Sequence, residues 1–126
     1  MKKVTSVVKS KFSVSISYPP LDSPKGLPFL PQNRQFQWTN TGNVILPVIP
    51  AYGATALKQK GYSVFWDDAI AEKIGYDQWL SRIIKRKPDL IIIETKTPVV
   101  KKHWLIASCL PGCDNIVYGC VLRRND

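Results

Sequence analysis

The sequence predicts one α/β domain built on a doubly wound parallel sheet, and three observations point to it. Segments of strand and helix period alternate in the order strand, loop-helix, strand, helix, strand, helix, strand. Leu90-Ile91-Ile92-Ile93 runs without alternation, which marks a strand covered on both faces, as in parallel sheets. The chain has 126 residues, enough for one domain with a real core and too few for two.

The elements follow from residue pattern. Phe12 to Tyr18 alternates apolar and small polar side chains, the period of a strand, and Pro19-Pro20 stops it. Leu21 to Leu46 holds Pro24, Pro28 and Pro31 and shows no sustained period. A connection of about 26 residues is far beyond the usual 2 to 6, and such loops commonly bind or cover a ligand. From Val48 to Lys60 the period turns helical, with Ile49, Tyr52, Gly53, Ala56 and Leu57 expected on one buried face. Pro50 suits the first turn and Gly61 the left-handed position after the last. Tyr62 to Trp66 reads as a strand closed by Asp67-Asp68. Asp77 is expected to cap a second helix with Trp79, Leu80, Ile83 and Ile84 inward, and with Arg82, Lys85, Arg86 and Lys87 toward water. Pro88-Asp89 breaks it and launches the isoleucine strand, followed by a loop Thr95-Lys96-Thr97-Pro98. Val99 to Leu110 is a third helix ended by Pro111-Gly112, and Ile116 to Leu122 a last strand. Residues 1–11 form a basic amino-terminal segment, 12–122 the domain with its long loop 19–47, and 123–126 a tail. The class is Rossmann- or flavodoxin-like, incomplete at its carboxyl end.

Composition narrows the function. Apolar residues are 44% and charged ones 21%, a globular balance, and no apolar run approaches the roughly 20 residues of a membrane span. The basic start lacks a long apolar stretch and a cleavage site, so a cytoplasmic protein with free thiols is expected. Net charge is +9, with four lysines in the first eleven residues and four basic residues between Arg82 and Lys87. Without a recognition motif that dispersed charge disfavours nucleic-acid binding.

Known chemical motifs are missing. The chain has no G-x-G-x-x-G, no P-loop and no G-x-S-x-G elbow. Cys109, Cys113 and Cys120 do not have the C-x-x-x-C-x-x-C spacing of a radical-type iron–sulfur cluster, and small buried thiols are the expected reading. Asp67-Asp68 reads as turn and cap chemistry, since neighbours on a strand point to opposite faces. No catalytic residue and no metal ligand is therefore assigned. If the first strand lies between the second and third, the sheet order reverses between the first and third, and the loops there form the ligand edge. They begin at Tyr18-Pro19-Pro20-Leu21-Asp22 and Glu94-Thr95-Lys96-Thr97, which supply a carboxylate, hydroxyls and a flat proline surface for a large planar ligand.

Several segments in order resemble the amino-terminal cobalamin-binding domain of cobalamin-dependent radical S-adenosylmethionine enzymes. They are Tyr18-Pro19-Pro20-Leu21, Leu46 to Tyr52, Gly61 to Val64, Asp67-Asp68-Ala69, and Lys87 to Ile93 with Thr95 and Thr97, covering residues 12–104. The resemblance implies cobalamin as cofactor, cradled at the carboxyl edge, with Tyr18, Pro19, Pro20 and Leu21 in the first corrin-side loop. It places Thr95, Lys96 and Thr97 near the lower face or nucleotide tail, where the two threonines are expected to serve ligand more than stability. A barrel carrying the iron–sulfur cluster follows in that family; here it would be supplied elsewhere, and this chain alone would not be an enzyme. Cys120 to Asp126 departs from the family's continuation, so the domain reads as truncated. The chain also lacks the D-x-H-x-x-G loop of many cobalamin carriers, and its one histidine, His103, lies beyond the third strand, so no histidine ligand to cobalt is expected. The rivals are a basic Rossmann-like module for nucleotide or nucleic acid, and a vestigial domain without ligand.

Overall fold

A computed structural model describes residues 12–30, 36–110 and, for the backbone, 116–120. In chain order its elements are β1 (Ser13–Tyr18), the short strands β2 (Leu27–Phe29) and β3 (Gln37–Thr39), helix α1 (Val48–Gln59) and β4 (Ser63–Asp68). The single turn α2 (Ala69–Glu72), α3 (Tyr76–Arg86), β5 (Leu90–Thr95), α4 (Val100–Ser108) and β6 (Ile116–Cys120) follow. The main sheet is parallel, in the order β4-β1-β5-β6. The expected segment 1–11, the Pro111-Gly112 stop, Cys113 and residues 121–126 lie outside the described residues.

The two faces of the sheet have different covers, which is what doubly wound means. On one face Ile16 and Tyr18 of β1 pack with Val64 and Trp66 of β4, under Ala54 of α1 and the β2–β3 hairpin. On the other, Ile91 and Ile93 of β5 pack with Trp79 and Ile83 of α3 and with Leu110. The architecture is an open α/β sheet, an incomplete Rossmann-like fold.

The serines of β1 are not the solvent face of a half-covered strand; Ser15 and Ser17 are buried. Ser17 Oγ accepts the indole proton of Trp79 at 2.8 Å. Ser15 Oγ donates to Asp67 Oδ2 at 2.9 Å. Ser13 and Asp89 exchange bonds across the start of β1 and β5: Asp89 Oδ2 accepts from Ser13 N (2.7 Å) and Oγ (3.0 Å), and Asp89 N donates back to Ser13 Oγ (3.0 Å). Buried polar groups need such partners, and here each is found on a different element.

Several expectations need correction. The long connection is not structureless, because β2 and β3 pair antiparallel within it, Pro28 opposite Trp38. Three-residue strands, one holding a proline, leave no readable period, and proline is tolerated because this small ribbon is all edge. Gly26 starts it at φ +101°, where a Cβ would overlap the carbonyl oxygen of Thr39. Helix α1 turns Ala51, Ala54 and Leu57 toward the sheet, leaving Ile49 63% and Tyr52 74% exposed. Small side chains suit the approach to a sheet that already carries Trp66 in the cluster. Gly61 does take the left-handed position, at φ +94°. Asp77 sits in the first turn of α3 behind Gly75, without capping it. Ile84 is exposed, and Leu90 and Ile92 are only half-buried, so β5 is fully covered on one face alone.

Arg82 and Arg86 do not simply face water. Both fold back on the fully buried Asp67: Arg86 Nη1 donates to Oδ1, and Arg82 Nη1 lies 3.7 Å away while its Nη2 pairs with Glu72 at 2.6 Å. Arg86 also lies 5.0 Å over the ring of Phe65. Asp67 thereby joins β1, β4 and α3. Asp67→Ala strands the hydroxyl of Ser15, while the half-exposed arginines can rehydrate; the expected cost is about 1–3 kcal/mol. Urea unfolding should show a lower midpoint at unchanged slope, and an unaltered midpoint would show that this carboxylate ties nothing together.

Candidate functional site

The strand order reverses between β1 and β5, so the carboxyl ends of these central strands are where this fold opens for ligands. β1 and β5 run in register, Ser17 opposite Ile93, which brings Tyr18 and Glu94 side by side. Tyr18 Oη donates to Glu94 Oε2 at 2.6 Å. Burial raises the pKa of both groups; the neighbouring carboxylate pushes the phenol further up, whereas the Tyr18 bond and Lys96 partly offset the rise at Glu94. The phenol stays protonated and serves as a donor.

The residues assigned by sequence do not share one surface. Tyr18, Pro19 and Leu21 are buried, Pro20 is half-buried, and the turn bends away through exposed Asp22. Thr95 is the buried last residue of β5, not a loop residue. Lys96 is half-buried, and exposed Thr97 opens a 3-10 turn over Thr97–Val99. A ligand at this edge can reach Pro20, Lys96 and Thr97; the other four form the wall behind them.

The hairpin contributes as much as these loops. Leu27, Leu30, Phe36 and Trp38 join Tyr18, Leu21, Ile70 and Val99 in one apolar cluster, so the hairpin lies across the carboxyl ends of β4, β1 and β5. Lys102 of α4 reaches toward it, 5.2 Å from the centre of the Trp38 ring and 3.3 Å from the carbonyl of Asp22. A small open cleft remains on the β1–β4 side, lined by Tyr18, Leu27, Pro28, Asn43, Val44, Ile45, Pro47, Asp68, Ile70 and Ala71. Asp68 Oδ1 accepts from Ala71 N at 2.9 Å and caps α2; burial raises its pKa, partly countered by backbone N–H donors.

The sequence places Glu94 at the start of the ligand-edge loop but assigns it no partner, and it does not place His103 in this region. Glu94 was visible only as a carboxylate within a loop; its pairing with Tyr18 requires the register of two strands 76 residues apart. His103 is fully buried, with Nδ1 2.6 Å from Thr95 Oγ1 and no partner at Nε2 among the described residues. Cys109, expected to be buried, is exposed. Among the described residues no group of three histidine, cysteine or acidic side chains could hold a metal ion, and no helix is long and apolar enough to cross a membrane. Compared with known protein families, curated proteins and solved structures, the chain matches none.

Burial without a charge partner pushes His103 down to about 4 from 6.5, so the folded state holds it neutral. As pH falls from 6.5 toward 4 the unfolded chain takes up a proton that the native one refuses, and stability drops by on the order of 3 kcal/mol. Glu94 and Asp68, both raised, act in the opposite sense, gaining stability as they protonate. Comparison with a variant isolates the histidine: His103→Leu should flatten the acid-side loss of stability between pH 6.5 and 4. Identical pH slopes in the two proteins would refute a buried neutral imidazole.

Proposed function

We infer that this chain is a corrinoid-binding module, a non-catalytic piece that presents cobalamin to a radical S-adenosylmethionine barrel supplied elsewhere. The observation that supports it best is the parallel order β4-β1-β5-β6, whose reversal puts the loops after β1 and β5 together at the carboxyl edge. Those loops carry the segments in which the sequence resembles the cobalamin-binding domain. The groups accessible there fit such a ligand. Half-buried Pro20 offers a flat apolar contact, exposed Thr97 a hydroxyl and half-buried Glu94 a carboxylate, matched to a planar macrocycle rimmed by carboxamides. Tyr18, Pro19, Leu21 and Thr95 shape the support beneath. When bound, cobalamin supplies a cobalt centre able to carry a methyl group; the protein's part is to hold and orient it.

Mixing the purified protein with hydroxocobalamin and separating free cofactor should leave a red protein with about one corrinoid per chain. Thr97→Trp should weaken retention by on the order of 1–3 kcal/mol at unchanged stability, whereas Thr95→Trp should disrupt the His103 contact and the fold. A colourless protein would sink the reading. If that colourless protein bound nucleic acid with an affinity that collapsed in salt, the basic Rossmann-like alternative would take its place.

The module makes no radical of its own, because reductive cleavage of S-adenosylmethionine needs an iron site for which the chain lacks the C-x-x-x-C-x-x-C spacing. Reconstitution with iron and sulfide should yield neither cluster absorbance nor 5′-deoxyadenosine. Either product in amounts matching the protein would make it an enzyme.

A further inference from the structure

We propose that the amino edge of the sheet binds single-stranded nucleic acid, stacking bases on Phe12 and Tyr62 between two lysine-bearing turns. The site lies at the end opposite the carboxyl edge and stands whether or not a corrinoid binds there. β1, β4 and β5 begin at Ser13, Ser63 and Leu90, and the crossover helices α1 and α3 return to this edge, ending at Gln59 and Arg86. The turns Lys60-Gly61-Tyr62 and Lys87-Pro88-Asp89 therefore both lie here. Ser63 N donates to the Phe12 carbonyl at 3.0 Å and Asp89 N to the Ser13 carbonyl at 2.9 Å, so the turns flank the start of β1. With neighbouring strands about 4.8 Å apart, the turns stand roughly 10 Å from one another.

The sequence disperses its basic residues; the fold collects several of them here. Lys58 and Lys60 close α1, and Lys85 and Lys87 close α3; all four are exposed, and none has a salt bridge among the described residues. Arg86 is held by Asp67 and is not counted with them. Lys9 and Lys11 precede Phe12 in the sequence. The two helix carboxyl ends, each equivalent to about half a negative charge, and Asp89 offset roughly two of the four lysines, so a positive rim remains. Asp89 is the one carboxylate at this edge among the described residues; the others close strands or sit in segments that leave the carboxyl edge. Charge alone suits any polyanion, and the aromatic pair selects among them. Phe12 and Tyr62 are 47% and 41% exposed, with ring centres 6.0 Å apart at 76°. In an edge-to-face pair the ring that presents its edge keeps both faces off its partner, open to a planar base. Every base has such a face, so stacking between phosphate-binding lysines recognises a strand with unpaired bases without reading its sequence.

The test follows fluorescence anisotropy of a labelled oligothymidylate with the full chain, beside an abasic strand of equal length and vesicles of phosphatidylserine. The native protein should bind the oligothymidylate about tenfold more tightly than the abasic strand, with log K falling linearly as log salt rises. Tyr62→Leu keeps apolar bulk and removes the ring; it should erase most of that preference and leave the abasic affinity unchanged. If thermal unfolding shows this variant unfolded, Phe12→Leu must narrow the same ratio. Lys87 sits in a left-handed conformation, φ 45°, at the end of α3, where glycine fits without strain. Lys87→Gly should therefore flatten the salt slope by about 0.7 while stability holds or rises. A lysine there for the helix end alone would leave the slope untouched. Equal affinity for the two strands, a salt slope unchanged in Lys87→Gly, or tighter association with the vesicles than with the strand overturns the proposal. Retention of hydroxocobalamin enters none of these outcomes, so the corrinoid reading and this one fail separately.

Discussion

Three serines on the central strand hold the fold together. β1 lies between β4 and β5, and its alternate positions 13, 15 and 17 each bond a different element: the start of β5 through Asp89, β4 through Asp67, and α3 through Trp79. A strand buried on both faces is usually apolar throughout. Here one face of β1 carries hydroxyls, small enough for the helices to come close and polar enough to fix where they sit. The hydrogen bonds add little net free energy when made, about 1 kcal/mol each, but leaving one partner alone in the core costs more. A wrong register of β1 would strand several of them at once. Specificity, more than raw stability, is what such a face provides.

That register also builds the carboxyl edge. With Ser17 opposite Ile93, the next residues out are Tyr18 and Glu94; β1 ends there, at Tyr18, and β5 one residue further, at Thr95. Pro19 fits where β1 must end because it has no N–H to give to a ladder. The hairpin then seals the apolar side of this edge with Leu27, Leu30 and Trp38, so the surface open to a ligand is narrower than the two loops alone suggest.

How much of this was legible depends on range. Strand period in Phe12 to Tyr18, helix period in Val48 to Lys60 and the isoleucine run at 90 to 93 are local signals, and each became the expected element within one or two residues. The reversal between the first and third strands follows from the observed sheet order, on the condition under which it was expected. What failed was everything decided by a distant partner. Alternation in β1 does not say that Ser15 and Ser17 are buried, because their partners are 52 and 62 residues away. The stripe on α1 was assigned by counting apolar residues, but the bulk in the sheet beneath it favours the face with Ala51 and Ala54. Arg86 reads as a solvent charge until Asp67 is known to be buried beneath it.

The carboxyl end of the sheet gathers groups whose ionisation is shifted by burial. At the amino end, Asp89 is tied to Ser13 and exposed to water, an ordinary structural clamp. At the carboxyl end, burial pushes Tyr18, Glu94 and Asp68 toward their protonated forms and holds His103 neutral. Groups shifted in this direction lose charge and keep hydrogen-bonding capacity. Neither turn at this edge, Pro19 to Asp22 or Lys96 to Pro98, has the glycines that let a backbone close around a phosphate at a helix start. Perturbed titration gathers where proteins act more often than where they merely fold. That clustering makes the carboxyl edge around Tyr18 and Glu94 the place at which to test for a ligand, although the same groups also hold the fold, Tyr18 bonding Glu94, Asp68 capping α2 and His103 bonding Thr95.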